Sequence, residues 1–501
     1  MGYRAPDGPL WRPGTQAVEA HLSTERRTNC DVIVIGGGPA GSTAATLLAR
    51  QGHSVLLVEK EKFPRDHVGE SLLPFCFRLF EDLGVREEMD KLFVRKPGVR
   101  FIDRRGVAST TWCFRQVITD ETYLSYQVNR AVLDQLLLEN SRRSGAEVRE
   151  ETKATDVDIS TDDGATVGIQ GPDAVTETIR ARFLIDASGR EALVGSRNGW
   201  RTPREELDRT ALWSHWDGVT LAGGLEEGLS LIIYMGEEKK GWIWVFPLSP
   251  DRVTAGAVMQ NSYMRQQRRM LLDAGSTDWQ QDLMWQELMQ SAFVRSLIEG
   301  TNQVLPVLVN GNYSYEVKNH FGRNYAMIGD ARGFIDPIFS SGVFLSVKTA
   351  YLVSAAVHEQ LTNGMEHGQP QLAKAYEQVT GAYNFVHRMI RLFYDPHAVT
   401  WANVGAEGEI HKRHESAMAT GHFMLAGDFF ENHERYQKFF DLLEDPRGFQ
   451  RYKTLILDRE YAPGDQTCHT PWDLVFGEME GALRTPATPA SNGSALDGTS
   501  S

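Results

Sequence analysis

The sequence predicts an α/β fold built on a parallel sheet that binds a dinucleotide. Three observations predict it: a strand–turn–helix–strand unit over residues 31–59, a strand closing on Asp186-Ala-Ser-Gly189, and another closing on Ile328-Gly-Asp330-Ala331. The run Asp31-Val-Ile-Val-Ile-Gly36 is almost unbroken in β-branched residues, the composition of a strand buried on both faces. From Pro39 to Arg50, Ala and Leu fall on one helical face, and Val55-Leu-Leu-Val58 is a second apolar run. A strand, a helix and a strand within ~30 residues form a βαβ unit.

Gly36-Gly-Gly-Pro-Ala-Gly41 lies between the first strand and the helix and matches G-x-G-x-x-G. Gly36 permits the tight turn, Gly38 lets a pyrophosphate approach the backbone, and Gly41 lets the helix pack on the strand. Pro39 and Ala40 open the helix, whose free N–H groups and dipole face the phosphates. Glu59 ends the second strand, where a carboxylate accepts hydrogen bonds from an adenosine ribose, with Lys60 beside it. Asp186 and Gly329-Asp330 extend the reading. An Asp after Gly at a strand end can hold the ribityl hydroxyls of a flavin, and an NAD dehydrogenase needs neither segment. The set points to FAD.

Further along, Leu133–Arg143 reads as a helix capped by Asn129. Leu229–Met235 and Gly241–Pro247 alternate as antiparallel strands do, and Val343–Leu361 reads as a helix. Residues 370–480 are mostly helical in pattern, with aromatics at Tyr383, Phe385, Phe393, Tyr394 and Trp401. Residues 1–29 lack periodicity and read as an arm. The segment after Arg484 has the Pro, Thr, Ser and Gly composition of disorder.

Composition narrows the function. Asp and Glu number 66 against 52 Lys and Arg, a net charge of −14, which argues against nucleic acid as a main partner. The four cysteines form no CxxC pair, which excludes a disulfide scaffold and a zinc ribbon and fits a reducing cytosol. No apolar run approaches the ~18 residues of a spanning helix, and residues 1–29 have no signal-peptide core. The expectation is a cytoplasmic protein with no membrane partner. No H-x-x-x-H or HExxH pair is present, so no metal is expected.

In this order the three motifs resemble the flavoprotein superfamily of aromatic hydroxylases, geranylgeranyl-type reductases and FAD-dependent halogenases. Four further segments resemble the bacterial halogenases that act on phenols and pyrroles: His67-Val-Gly-Glu-Ser-Leu-Leu-Pro74, Phe93-Val-Arg-Lys-Pro-Gly98, Gly241-Trp-Ile-Trp-Val-Phe-Pro247 and Asp336-Pro-Ile-Phe-Ser-Ser-Gly-Val343. The resemblance covers about residues 30–400. It implies a glutathione-reductase-like FAD-binding fold over residues 30–362, with an inserted antiparallel substrate sheet (about 96–128 and 205–312). A C-terminal helical cap over 363–484 and a tail over 485–501 would follow.

The resemblance also implies roles. Reduced FAD (FADH2) and O2 would oxidise halide, chloride or bromide, to hypohalous acid, and Lys96 would receive that acid. Ser341 and Gly342 would hold the halide. Trp242 and Trp244 would stand between flavin and substrate and stop direct hydroxylation. Glu70, Ser71, Gln127 and Arg130 would contact flavin or shape the passage. A separate NADH-dependent flavin reductase would supply FADH2. The substrate would be an electron-rich aromatic, free or tethered to a carrier protein.

Other readings compete at several of these positions. The tryptophan segment carries Phe246 where the halogenase pattern has Ile, and geranylgeranyl-type reductases carry a similar aromatic-x-W-x-F-P strand. Lys96 separates the two readings. By position it also fits a solvated basic stretch with Lys91, Arg95 and Arg100. Ser341 also fits a plain helix N-cap. Aromatic monooxygenases usually follow Gly-Asp-Ala with Ala-His, whereas Arg332 follows here. His320, His387, His397 and His422 are candidate substrate bases that the sequence does not rank.

Overall fold

The β-branched run forms the strand Asn29–Ile35, central in a seven-stranded sheet of the computed structural model. The structure describes residues 28–105, 109–118, 120–221, 228–236, 241–311, 314–395, 421 and 423–444. The expected N-terminal arm (but for its last two residues), Trp401, His397, His422, the tail and much of the expected cap lie outside these.

Asn29–Ile35 pairs in parallel with Val55–Val58 on one side and Thr176–Asp186 on the other. Tyr325–Met327 adds in parallel to the far end of Thr176–Asp186. The register aligns Ile35 with Val58 and Asp186, and Asp186 with Met327. All these strands therefore end at one edge, the edge at which open α/β sheets bind ligands. On one face Val32 and Val34 pack with Ala44, Leu48 and Val353, and on the other Ile33 and Ile35 pack with Val167, Ile179 and Val194. Burial on both faces is what the unbroken apolar run requires.

The helices Pro39–Arg50, Arg130–Arg143, Gly342–Asn363 and Met365–Tyr394 follow. Asn129 caps its helix as the sequence predicts, accepting from Ala131 N at 2.9 Å and Val132 N at 3.4 Å.

An eight-stranded sheet is built from residues 98–113 and 209–311. Ser230–Tyr234 and Trp242–Ser249 pair antiparallel, as the alternation predicts. One pairing departs from the expected antiparallel insert: Ser230–Tyr234 runs parallel to Gly98–Ile102. These strands come from distant parts of the chain, so no hairpin dictates their direction. Trp242–Ser249 is buried on both faces. Trp242, Trp244 and Phe246 join one core, while Ile243 and Val245 join another with Leu283, Leu288 and Val294.

Among the described residues, no helix is long and apolar enough to cross a membrane.

Candidate active site

A cavity of about 500 Å³ opens outside the aligned strand ends. The glycine turn forms its floor. A Cβ on Gly36 (φ +104°) would lie 2.2 Å from Ala187 O, and one on Gly41 would lie 1.9 Å from Gly36 O. Neither position can carry a side chain. A Cβ on Gly38 would meet only Arg65 Nη2, at 3.7 Å, so bare backbone faces the cavity there. Glu59 is buried and its Oε2 accepts from Gly37 N at 2.7 Å, which ties the turn to the second strand. Asp186 acts through the following turn, accepting from Ser188 N at 3.0 Å and Val194 N at 2.8 Å. Asp330 stands on the wall, and burial pushes its carboxyl up to about 6.

Two arginines that the sequence reading did not single out also line this cavity. Arg65 reaches over Gly38 while pairing with Asp134 at 3.2 Å, and Arg190 leaves a buried Nη1 without a hydrogen-bond partner. Bare backbone, a helix N-terminus and two guanidinium groups suit a pyrophosphate. Arg65 lies in a polar stretch with no motif, so nothing local marked it.

Opposite the turn, Trp242, Trp244 and Phe246 line the wall. Trp242 and Trp244 are tilted with ring centroids 5.5 Å apart. Gly256 makes room for them, since a Cβ there would lie 2.3 Å from Trp244 Cη2. Trp242 Nε1 donates to Tyr394 Oη at 2.9 Å, and Tyr394 Oη donates to Asp336 Oδ2 at 2.8 Å. Asp336 Oδ1 in turn accepts from Ile338 N at 3.2 Å, so the ring orientation is linked to the 336–341 turn.

That turn leads into the 22-residue helix Gly342–Asn363, with Ser340 held left-handed at φ +55°. Ser340 and Gly342 line the cavity. Ser341 is buried and its hydroxyl has no partner. It occupies the N-cap position yet makes no capping hydrogen bond. An unpartnered buried hydroxyl at a helix N-terminus is a place for an anion.

Lys96 is 1% exposed, which excludes the solvated-stretch reading. Its Nζ donates to Leu72 O at 2.9 Å and lies 5.5 Å from the Phe114 ring centroid. Burial without an acidic partner pulls the ammonium down to about 7. The buried Cys76 thiol nearby is pushed up to about 12 by the same desolvation. The other basic residues go elsewhere: Arg95 pairs with Asp90 and Arg100 donates to Thr111 Oγ1 at 2.7 Å.

Lys96 lines neither of two cavities, but the segment that holds it contributes to both. Gly69, Glu70 and Ser71 line the first cavity, and Pro74, Phe75 and Leu79 line a second of about 310 Å³. Leu72, midway, holds Lys96. The helix Gly342–Asn363 divides the cavities in the same way: Val343 and Leu345 face the first, Phe344 and Lys348 the second.

The remaining candidates separate. Gly36, Gly38, Pro39, Ala40, Glu59, Lys60, Glu70, Ser71, Arg130, Trp242, Trp244, Asp330 and Gly342 line the first cavity. Gly41, Gln127, Asp186, Gly329 and Ser341 lie behind its lining. Gln127 donates to Gly228 O at 3.0 Å and Ser230 Oγ at 2.9 Å. Arg130 grips Asp134 Oδ1 at 2.8 Å and Val68 O at 2.7 Å, and Lys60 pairs with Glu191. Glu70 Oε1 pairs with His215 Nε2 at 2.9 Å. His320 stacks on Tyr376 and burial holds it near 3, while His387 pairs with Glu206 at 3.1 Å.

The profile of the FAD binding domain family matches residues 29–383. The chain is 31% identical over 395 residues to a tryptophan 2-halogenase of Chondromyces crocatus, covering 77% of this chain and 69% of that one. It is 29% identical over 353 residues to a 1H-pyrrole-2-carbonyl-[peptidyl-carrier protein] chlorinase of Pseudomonas fluorescens, covering 66% of this chain and 76% of that one. Among solved structures, the myxobacterial chondrochloren halogenase CndH superposes with a TM-score of 0.66 at 25% identity, covering 91% of this chain and 97% of that one.

Proposed function

The chain belongs to the FAD-dependent halogenases, and from that premise we propose that it halogenates an electron-rich, phenol-like ring through Lys96, in the biosynthesis of a natural product. The observation that carries the reading is the state of Lys96, a buried amine held by the segment whose two ends line the two cavities, pulled down to about 7. Such an amine is a usable nucleophile near neutral pH.

Bound reduced FAD, with O2, supplies the oxidising power that turns halide into hypohalous acid. The protein's residues do the rest. Gly36, Gly38 and Gly41 admit the pyrophosphate, Arg65 and Arg190 offset its charge, Glu59 takes the ribose, and Asp330 takes the ribityl chain. Ser341 and the first turn of Gly342–Asn363 hold chloride or bromide. Trp242 and Trp244 keep the ring away from the flavin. The Lys96 amine takes the halogen from hypohalous acid as water leaves, and passes it to the ring carbon. The described part of the helical region, Met365–Tyr394 and His433–Glu444, would cover the substrate side. A separate NADH-dependent reductase supplies FADH2. The net charge of −14 favours a free ring over one carried by an acidic carrier protein.

The test combines the protein, FAD, a flavin reductase, NADH, bromide or chloride and a panel of phenols, read by mass spectrometry. A halogen isotope pattern is expected. A product heavier by one oxygen, without halogen, would mean a monooxygenase. Lys96→Ala should lower halogenation by on the order of 10³-fold with flavin still bound. In the intact protein the rate should rise with pH through about 7 as the amine loses its proton. Full activity in the variant removes Lys96 from the mechanism.

A further inference from the structure

We infer that the second cavity receives the substrate ring as a phenol and that Asp428 accepts its hydroxyl proton as halogen arrives. The inference rests on Lys96 as the group that delivers halogen.

The cavity has aromatic walls, with Phe75, Phe344 and Phe430 in its lining beside Leu79 and Ile118. It is tied to Lys96 twice. Pro74 and Phe75 follow Leu72, the residue that holds Lys96 Nζ. Ile118 N donates to Phe114 O at 3.0 Å, and Phe114 lies beneath Lys96.

Among the described residues, four charged ones line the cavity, and three are engaged with one another or with neighbours. Lys348 pairs with Glu431 at 3.1 Å, and Arg78 pairs with Glu81 at 2.8 Å and Asp120 at 3.5 Å. Glu431 is over half exposed. Asp428 is different: it is 4% exposed, and its hydrogen bonds come from neutral donors alone. Asn432 Nδ2 donates to Oδ1 at 3.0 Å and Oδ2 at 2.9 Å, and Tyr436 Oη donates to Oδ2 at 3.0 Å. Oδ1 thus accepts from one group and keeps a free lone pair. Burial, with the Glu431 charge adding, raises the carboxyl to about 6, so it is ionised at neutral pH yet more basic than an ordinary Asp.

The chemistry needs such a group. A neutral phenol is a modest carbon nucleophile, and its reactivity rises as the O–H proton leaves. The phenol proton passes to Asp428 while the ring carbon forms its bond to halogen and the nitrogen–halogen bond at Lys96 breaks. The ring C–H proton then restores the Lys96 amine, and Asp428 returns its proton to the oxygen. The halogenated phenol leaves with both side chains as they began.

The experiment compares a phenol with its O-methyl ether, which has no proton to give. In the intact enzyme the ratio of phenol to ether kcat/KM should climb with pH to about 6 and then level. Asp428→Asn should lower the phenol rate by about 10²-fold, leave the ether rate and the trapping of hypohalous acid within twofold, and flatten the ratio. Parallel pH profiles for the two substrates in the intact enzyme would overturn the inference even if the variant failed to fold. So would a wild-type phenol rate in Asp428→Asn, or equal loss on both substrates. Absence of halogenated product from every ring would instead overturn the halogenase reading beneath it.

Discussion

The two cavities share a partition but are made of different material. The floor of the flavin-side cavity is shaped by backbone: a glycine turn, three further strand ends and a helix N-terminus. The second cavity is shaped by side chains brought from residues 74–79, 118, 344 and 427–431. A backbone-built site is specified by short contiguous patterns. A side-chain-built site is specified by packing between segments hundreds of residues apart. Lys96 belongs to the second kind, for its low proton affinity comes from burial, and the groups packed on it, Leu72, Cys76 and Phe114, are not its own neighbours in sequence.

Variants on the backbone side test that contrast, in descending order of effect. Gly41→Ala places a Cβ 1.9 Å from Gly36 O. It should cost about 3 kcal/mol in denaturant unfolding and abolish flavin binding in a fluorescence titration. Normal flavin binding would show that the turn yields more than a backbone-built site should.

Asp330→Asn tests a charge on the same wall. Burial raises this carboxyl to about 6, so its contribution to stability is full below the unfolded value near 4 and is lost as pH rises through about 6. The variant, free of flavin, should gain about 2 kcal/mol at pH 7.5 and nothing at pH 3. Equal gains at both pH values would mean that packing, not charge, is responsible.

Ser341→Ala removes a buried hydroxyl that has no partner in the protein. Stability should be unchanged or rise by about 1 kcal/mol, while the KM for halide should rise at least about 10-fold, the worth of one hydrogen bond to an ion. Unchanged halide KM would leave the helix N-terminus alone as the anion's partner.

The same contrast governs what could be read in advance. The strand, turn and helix over 29–58 were legible because steric demands at Gly36 and Gly41 act between near neighbours or at the adjoining strand end. The Asn129 cap was legible for the same reason. Arg65 and Arg190 were not, since their place over the cavity depends on how the turns around them fold back. Gln127 reads as a flavin contact by resemblance, and that its amide nitrogen goes to the Gly228 carbonyl and the Ser230 hydroxyl, about a hundred residues away, was not legible. Ser341 reads equally as a cap, and the absence of a capping bond there was not legible. The parallel pairing of Ser230–Tyr234 with Gly98–Ile102 left no trace in either strand's pattern.

The strand Trp242–Ser249 is a partition one residue thick. Its aromatic row lines the first cavity, and Ile243 and Val245 face a core closed by Leu283, Leu288 and Val294. A change of volume at Leu283 or Val294 therefore presses on the back of the strand and moves Trp242 and Trp244 without altering either. Selectivity could be retuned from behind the wall, by residues no inspection of the cavity would name. The register sets the limit: a single inserted residue would turn the tryptophans into the wrong room.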